Sequence, residues 1–385
     1  YLSSVVIGST LDITNISVEE YSGQEAVPDS GCGSLLFEPQ STNLIPYSED
    51  FSDAIWTGAT TDATVTASTN VNPSGNSGTY LVERVTGSQL GTAPSVTTGL
   101  SYTGSFYVRN VSGSGAITLR DVNNVSTPFT ATDKWQRFSV TGVATGAGRL
   151  YLNVLTTGDI VEVWGAMLEE QSYSTSYIPT EGVIKTRNQD LCAGGGSVST
   201  ISSTEGTLYF EGSALADDGT TRHISISDGT TSNAINIYYF ASGGVMFFQK
   251  FVNGVRTTNV NTTSITKTDF NKIAVRYNST EFSVFANGVN ILNNADTNVF
   301  APNTLNTLQF TSANGTSSPF FGKTKCLAVW KEALSDNALA ELTYPTPTDP
   351  TFTLDFNTIV EQLTFARGSE ATYVDAQGLI QSTNE

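Results

Sequence analysis

Glu281-Phe282-Ser283-Val284-Phe285 alternates polar and apolar side chains and runs directly into Ala286-Asn287-Gly288-Val289. A period of two puts Phe282 and Val284 on one face of a strand. Asn-Gly then accepts the positive φ that both central positions of a type I′ turn demand, so the chain reverses into an antiparallel hairpin. Asn253-Gly254 repeats the signal after Val245–Lys250. Other strand-length runs recur at short intervals: Tyr102–Arg109, Ile117–Val122, Trp135–Thr141, Arg149–Val154 and Ile160–Glu169, then Thr207–Glu211, His223–Ser227, Ala234–Phe240, Lys272–Tyr277, Thr307–Phe310 and Lys325–Trp330. Gly- and Asn-rich turns separate them. One short helix is expected, capped by Ser335 and carrying Leu339 and Leu342 on one side. Strands that reverse this often bury one sheet face against another. The expected fold class is all-β: tandem antiparallel β-sandwiches.

A length of 385 residues suits two domains and extra pieces. The net charge of −18 repels DNA, RNA and anionic bilayers, so no nucleic-acid partner is expected. No apolar run approaches the roughly 20 residues of a membrane helix, so no membrane insertion is expected. Acidity with few lysines suits a protein that stays soluble outside cells; it equally suits any large solvated surface. The chain opens on Tyr1 inside what reads as a strand, and is expected to be a piece of a longer polypeptide. Three cysteines are too few and too scattered for a disulfide framework or a Cys-based zinc site.

Four segments follow. Residues 1–30 read as the terminal strands of a preceding sandwich, because Leu11-Asp12-Ile13-Thr14-Asn15-Ile16 echoes Asp159-Ile160-Val161-Glu162-Val163-Trp164. Residues 31–190 form a first full unit, 191–345 a second behind Gly194-Gly195-Gly196-Ser197, and 346–385 a Pro-rich linker and the start of a further unit. Cys32 and Cys192 lie at the two ends of the first unit. They are a candidate disulfide; buried free thiols are the alternative.

Leu35-Leu36-Phe37-Glu38-Pro39-Gln40-Ser41-Thr42-Asn43-Leu44 and Trp164-Gly165-Ala166-Met167-Leu168-Glu169-Glu170 with Tyr173–Thr180 resemble the opening and closing phrases of a carbohydrate-binding-module-like jelly roll of bacteriophage tail and fibre proteins. Phe285-Ala286-Asn287-Gly288-Val289 and Ala328-Val329-Trp330-Lys331-Glu332-Ala333-Leu334-Ser335-Asp336 resemble a laminin-G or concanavalin-like sandwich. Thr364–Ile380 resembles a further phage-protein phrase. The resemblance implies a virion-surface, extracellular protein of a tail fibre, tail tip or head appendage. It also implies bacterial surface polysaccharide and other virion proteins as partners, and a trimer, which would bury sheet edges.

The case for an enzyme is weak. His223 is the one histidine, and its alternating surroundings make it a strand residue. No phosphate-cradling loop is present. The pairs Glu19-Glu20, Glu49-Asp50 and Glu169-Glu170 would point in opposite directions on strands and read as solvated edges. Binding suits the residues better, since sugars offer apolar faces ringed by hydroxyls. Trp56, Tyr107, Arg109 and Trp135 are the glycan-binding candidates, with Tyr107 and Arg109 on one sheet face. Trp135 and Trp164 also suit a core, and Trp56 a sandwich edge. Tyr238 and Tyr239 face opposite ways, so at most one is core. No resident cofactor is expected. Calcium is the one metal considered, with Asp217, Asp218 and Asp228 as weak ligand candidates beside a turn reading. The rivals to a glycan adhesin are a structural spacer or decoration module, a non-catalytic ancillary part of a polysaccharide depolymerase, and a secreted bacterial adhesin.

Overall fold

The computed structural model describes residues 26–29, 32–57, 61–241, 243–345, 365–366, 371–374 and 380–383. Strand makes up 50% of it and helix 3%, and the sheets are antiparallel, so the expected all-β tandem sandwiches are present.

The first sandwich is organised by one long strand, Ser77–Thr92, which serves both layers. Its Tyr80–Glu83 stretch pairs with Ile160–Val163 and its Leu90–Thr92 stretch with Leu150–Leu152. One layer runs Thr61–Val71, Ser77–Thr92, Ile160–Glu169, Ser101–Ser112 and Gln136–Val143; the other adds Leu150–Val154, Ala116–Arg120 and Ser126–Thr130. Val82, Leu90, Phe106, Val108, Ile117, Leu119, Leu152 and Val163 fill the space between them, all completely buried. Each such side chain contributes about 1.5–3 kcal/mol of burial.

In the second sandwich a seven-stranded layer runs Ala26–Asp29, Cys32–Phe37, Gly322–Trp330, Gly206–Ala214, Asn271–Tyr277, Glu281–Ala286 and Val289–Ala295. The five-stranded layer runs Val255–Thr262, Met246–Val252, Ala234–Tyr239, Arg222–Ser227 and Thr307–Gln309. Both hairpin turns are as expected: Asn253 and Gly254 take φ of 51° and 81°, and Asn287 and Gly288 take 50° and 84°. Ser335 accepts a hydrogen bond from the Ala338 amide and caps helix Asp336–Leu342. Leu339 and Leu342 bury against Tyr209, Ala274, Phe285 and Ala328 on the outside of the seven-stranded layer.

Pairing corrects the expected boundaries. Leu35-Leu36-Phe37, read as the opening of the first unit, pairs instead with Thr324-Lys323-Gly322 of the second. The Phe37 ring lies 4.8 Å from Phe310 in that second core. The first sandwich is therefore an insertion between the edge hairpin of the second sandwich, Ala26–Asp29 with Cys32–Phe37, and the rest of it. The chain leaves through Glu38-Pro39-Gln40 and returns past Lys185–Arg187, which pairs with Ser41–Asn43. The two crossings are clamped together. Arg187 forms a buried ion pair with Glu38 and donates to the Pro39 carbonyl; the Glu38 amide donates to Asp190 Oδ2 at 2.8 Å, and the Asp190 amide to the Glu38 carbonyl at 2.9 Å.

The Leu11–Tyr21 reading lies outside the described residues. Ala26–Asp29, placed within the same preceding sandwich, pairs with Cys32–Phe37 of this one. Of 346–385 only the strands Phe365–Ala366, Ala371–Val374 and Ile380–Thr383 are described, and the first pairs with Leu191–Cys192. Cys192 is a free, buried thiol, pushed up to about 12 by burial, so the candidate bridge to Cys32 is not formed and the free-thiol alternative holds for Cys192. Its segment packs beside Phe310, whose amide donates to the Cys192 carbonyl at 2.9 Å.

Arg187→Ala strands the Glu38 carboxylate in the clamp. A loss of about 3–5 kcal/mol is expected in urea unfolding, with the two sandwiches losing a common transition; an unchanged single transition would show that the clamp does not couple them.

Candidate functional site

The structure separates Trp56 from the other three aromatic and cationic candidates of the first sandwich, which lie together. Trp56 is fully buried: its indole N–H donates to the Tyr47 carbonyl at 2.7 Å, and its ring packs 4.8 Å from Phe51 and 5.9 Å from Phe106. It closes the core and offers no platform. Tyr107 does share a sheet face with Arg109, but the segment carrying Tyr177 and Ile178 covers it, with Trp164 5.6 Å away. Gly165 permits that cover. It takes φ of 63° at an irregularity in strand pairing, and a Cβ there would sit 3.1 Å from the Tyr107 ring. Arg109 and Trp135 are brought together, with the guanidinium 5.2 Å above the indole. That guanidinium also pairs at 2.5 Å with Glu162, a fully buried carboxylate which Asn70 and Thr79 serve as well. The patch satisfies its own charges.

The acidic candidates are likewise committed. Asp217 pairs with Lys267, Asp218 pairs with Arg222 at 3.0 Å, and Asp228 closes its own turn through Thr230 and Asn233. Asp217 and Asp218 are thus each paired with a cationic side chain. Among the described residues no group of three or more His, Cys, Asp or Glu is set to hold a metal. Glu169, read as a solvated edge, is fully buried and takes bonds from Ser41 and Thr175; burial pushes its carboxyl above the usual range.

A different face assembles the chemistry that a sugar requires. On the five-stranded layer, Ile224, Ile226, Ile235, Ile237, Met246 and Phe248 point into the core. Period two therefore sends the alternate residues outward. Strand register places them in rows. His223, Tyr238 and Phe247 stand side by side across three strands, and the next row is Gln309, Ser225, Asn236, Gln249 and Asn259 across five. Tyr238 lies 4.2 Å from His223 and 5.7 Å from Phe247, and Phe240 joins them 5.4 Å from Phe247. These rings are half-buried. An apolar aromatic strip thus runs directly beside a strip of amides. Tyr239 points the other way into the core, as the alternation requires.

The chain segment after Gln309 closes one end of this face. Ser225 and Ser227 hydroxyls donate to the Thr311 and Ala313 carbonyls at 2.9 Å, and Gln309 donates to the Ser312 carbonyl at 2.9 Å. Toward the other end Gln249 donates to Asn259 at 3.0 Å. Between them Asn236, 5% exposed, has a buried Oδ1 without a partner, and both ring nitrogens of His223 are also unpartnered. Buried polar atoms left this way cost free energy until something satisfies them. Burial pushes the His223 imidazole down to about 4, so at neutral pH it is uncharged, with one N–H and one lone pair. Sequence reading singled out Tyr238 but missed Asn236, Gln249 and Gln309. Their signal was polar side chains at the outward positions of otherwise apolar strands.

Residues 197–340 match the family model of the concanavalin A-like lectin/glucanases superfamily, Laminin_G_3, which takes in this whole face. Solved structures with similarity include the Ruminococcus gnavus IT-sialidase CBM40 bound to α2,3-sialyllactose, at 15% identity over 39% of this chain and 93% of that one, TM-score 0.31. A heptameric SAP-like pentraxin from Limulus polyphemus aligns at 11% identity over 50% and 88%, TM-score 0.35. Domains LG4-5 of the mouse laminin α1 chain align at 10% identity over 79% and 92%, TM-score 0.27. No curated protein matches the chain.

His223 gives this face a readable titration. Its folded pKa lies below its unfolded one, so the unfolded chain binds the proton first as pH falls. The stability tied to neutral His223 is complete above about 6.5 and is lost down to about 4. Urea unfolding at these two pH values should show on the order of 2–3 kcal/mol more loss in the wild type than in His223→Gln. Equal losses would place the imidazole in water.

Proposed function

We propose that this protein is a non-enzymatic adhesion module that binds bacterial surface polysaccharide through the outer face of the five-stranded layer. The observation that carries the reading is the aromatic row of His223, Tyr238 and Phe247 lying in register beside the amide row that contains the unpartnered Asn236 Oδ1. A pyranose ring presents apolar C–H groups to aromatic faces and hydroxyls to amides. A bound hydroxyl would donate to Asn236 and relieve its unmet acceptor. None of the side chains named in the two rows is a carboxylate, so the face is suited to holding a glycan rather than to cleaving it. The match of residues 197–340 to a lectin and glucanase superfamily supports the same reading.

The phrases at Leu35–Leu44, Trp164–Thr180 and Thr364–Ile380 support a place for the protein on a phage virion appendage, outside the cell, among other virion proteins and as a trimer. A glycan array of the intact chain against host polysaccharides should return hits. Tyr238→Ala and Phe247→Ala should each weaken the best hit about tenfold, or ~1.4 kcal/mol, by calorimetry, with the unfolding transition retained. Unchanged affinity in both folded variants would move binding off this face. An array without hits would favour a spacer or decoration role.

A further inference from the structure

The first sandwich carries a cleft of about 550 Å³ that none of its sequence candidates line. It opens where the turn between strands Thr61–Val71 and Ser77–Thr92 meets the segments around Tyr47 and Lys185. The volume falls in the range of small-molecule sites, about 300–1,000 Å³. Tyr47, Glu49, Asp50, Tyr80, Glu181 and Lys185 supply its chemistry. Glu49-Asp50 reads in the sequence as a solvated edge, pointing two ways only if it lay on a strand. The pair lies instead in an irregular stretch, where both side chains reach one cleft.

The walls are fixed before any ligand arrives. Tyr47 bridges to Glu181, the Ser48 amide donates to Thr180 Oγ1 at 3.1 Å, and the Thr180 amide donates to Ser48 Oγ at 2.8 Å. Asp50 Oδ1 accepts from the Tyr80 hydroxyl at 2.8 Å, the Ser52 amide at 3.0 Å and the Ser52 hydroxyl at 2.5 Å. The Ser52 hydroxyl chiefly holds this carboxyl below its usual range, so it is charged. A carboxylate has about four lone-pair sites, so acceptor capacity remains. Glu49 behaves oppositely: burial outweighs its bond from the Tyr177 hydroxyl and raises its pKa. The Trp164 indole N–H, on a side chain 2% exposed, lies beside it and acts as a second donor toward this carboxyl. Tyr80 is half-buried, its edge against Phe51, and Tyr47 is also half-buried.

We propose that this cleft is a second binding site, specific for a sugar that carries a free amino group. Two tyrosine rings suit the apolar face of a pyranose and attract a cation as well. Three carboxyls face a single lysine ammonium, so a positive ligand group finds a partner and a negative one meets repulsion. Sialic and uronic acids are therefore disfavoured. A neutral sugar would desolvate carboxylates without replacing their charge partner. A rigid ring-borne amine loses less freedom on binding than a flexible polyamine, which favours the sugar.

The test is calorimetry of the intact chain in low salt at about pH 6, where an ordinary amine is charged. The probes are a glucosamine tetramer, its N-acetylated counterpart and a linear tetraamine. The glucosamine tetramer should bind at least tenfold tighter than either of the others. Asp50→Asn and the exposed Glu181→Gln should each weaken it about tenfold, and Glu181→Gln serves if Asp50→Asn unfolds. Tyr238→Ala, in the second sandwich, should leave it unchanged. Equal affinity for the two sugar tetramers overturns the proposal, as do equal binding of the tetraamine, no binding by folded wild type, or sensitivity to Tyr238→Ala instead of the cleft variants. Because the two sites are read by different residues, failure here leaves the glycan reading of the other face standing, and the reverse.

Discussion

Glu38 and Arg187 are charged groups taken out of water at the one place where the chain crosses twice between sandwiches. Neither can be left alone there, since an uncompensated buried charge costs several kcal/mol. Their pairing, with Asp190 bonded to the Glu38 backbone through both its carboxylate and its amide, holds the outgoing and returning strands side by side. Everything else about the domain arrangement depends on this clamp. It lets Leu35–Phe37 pair within the second sandwich while Ser41–Asn43, only four residues on, already belong to the first.

The two sandwiches then use their outer faces differently. In the first, the sheet face bearing Tyr107 and Trp164 is covered by its own chain, and the remaining charged groups there, half-buried Arg109 and fully buried Glu162, neutralise each other. Open chemistry is displaced to the cleft beside Tyr47 and Tyr80. In the second, the five-stranded face stays partly open, and buried acceptors are left unmet. One domain presents charge in a recess; the other presents neutral amides and rings across a sheet.

Local rules made much of the fold legible. Asn-Gly turns, the alternation through Glu281–Phe285 and the Ser335 cap all depend on residues close together in the chain, and all appear as expected. Thr61–Val71 was not expected, because a stretch rich in Thr, Ser and Ala lacks the apolar contrast that marks a strand; its pairing with Ser77–Thr92 creates it. The assignment of Leu35–Phe37 failed for the same reason at longer range, since its partner lies near Thr324. Trp56 and Tyr107 have side chains that suit a sugar, but exposure depends on segments folding back from elsewhere, and both are buried. For the amide row, each outward polar residue could be read in its own strand. Only the cross-strand register shows that Asn236, Gln249 and Asn259 are neighbours.

The paired entry and exit at Ser41–Asn43 and Lys185–Arg187 have an evolutionary consequence. A domain whose two ends lie a strand's width apart behaves as a cassette. Any other fold with closely spaced termini can be spliced into the same gap without breaking the host's hydrogen-bond ladder. The inserted unit could then be exchanged by recombination in one event while the host sandwich stays as it is.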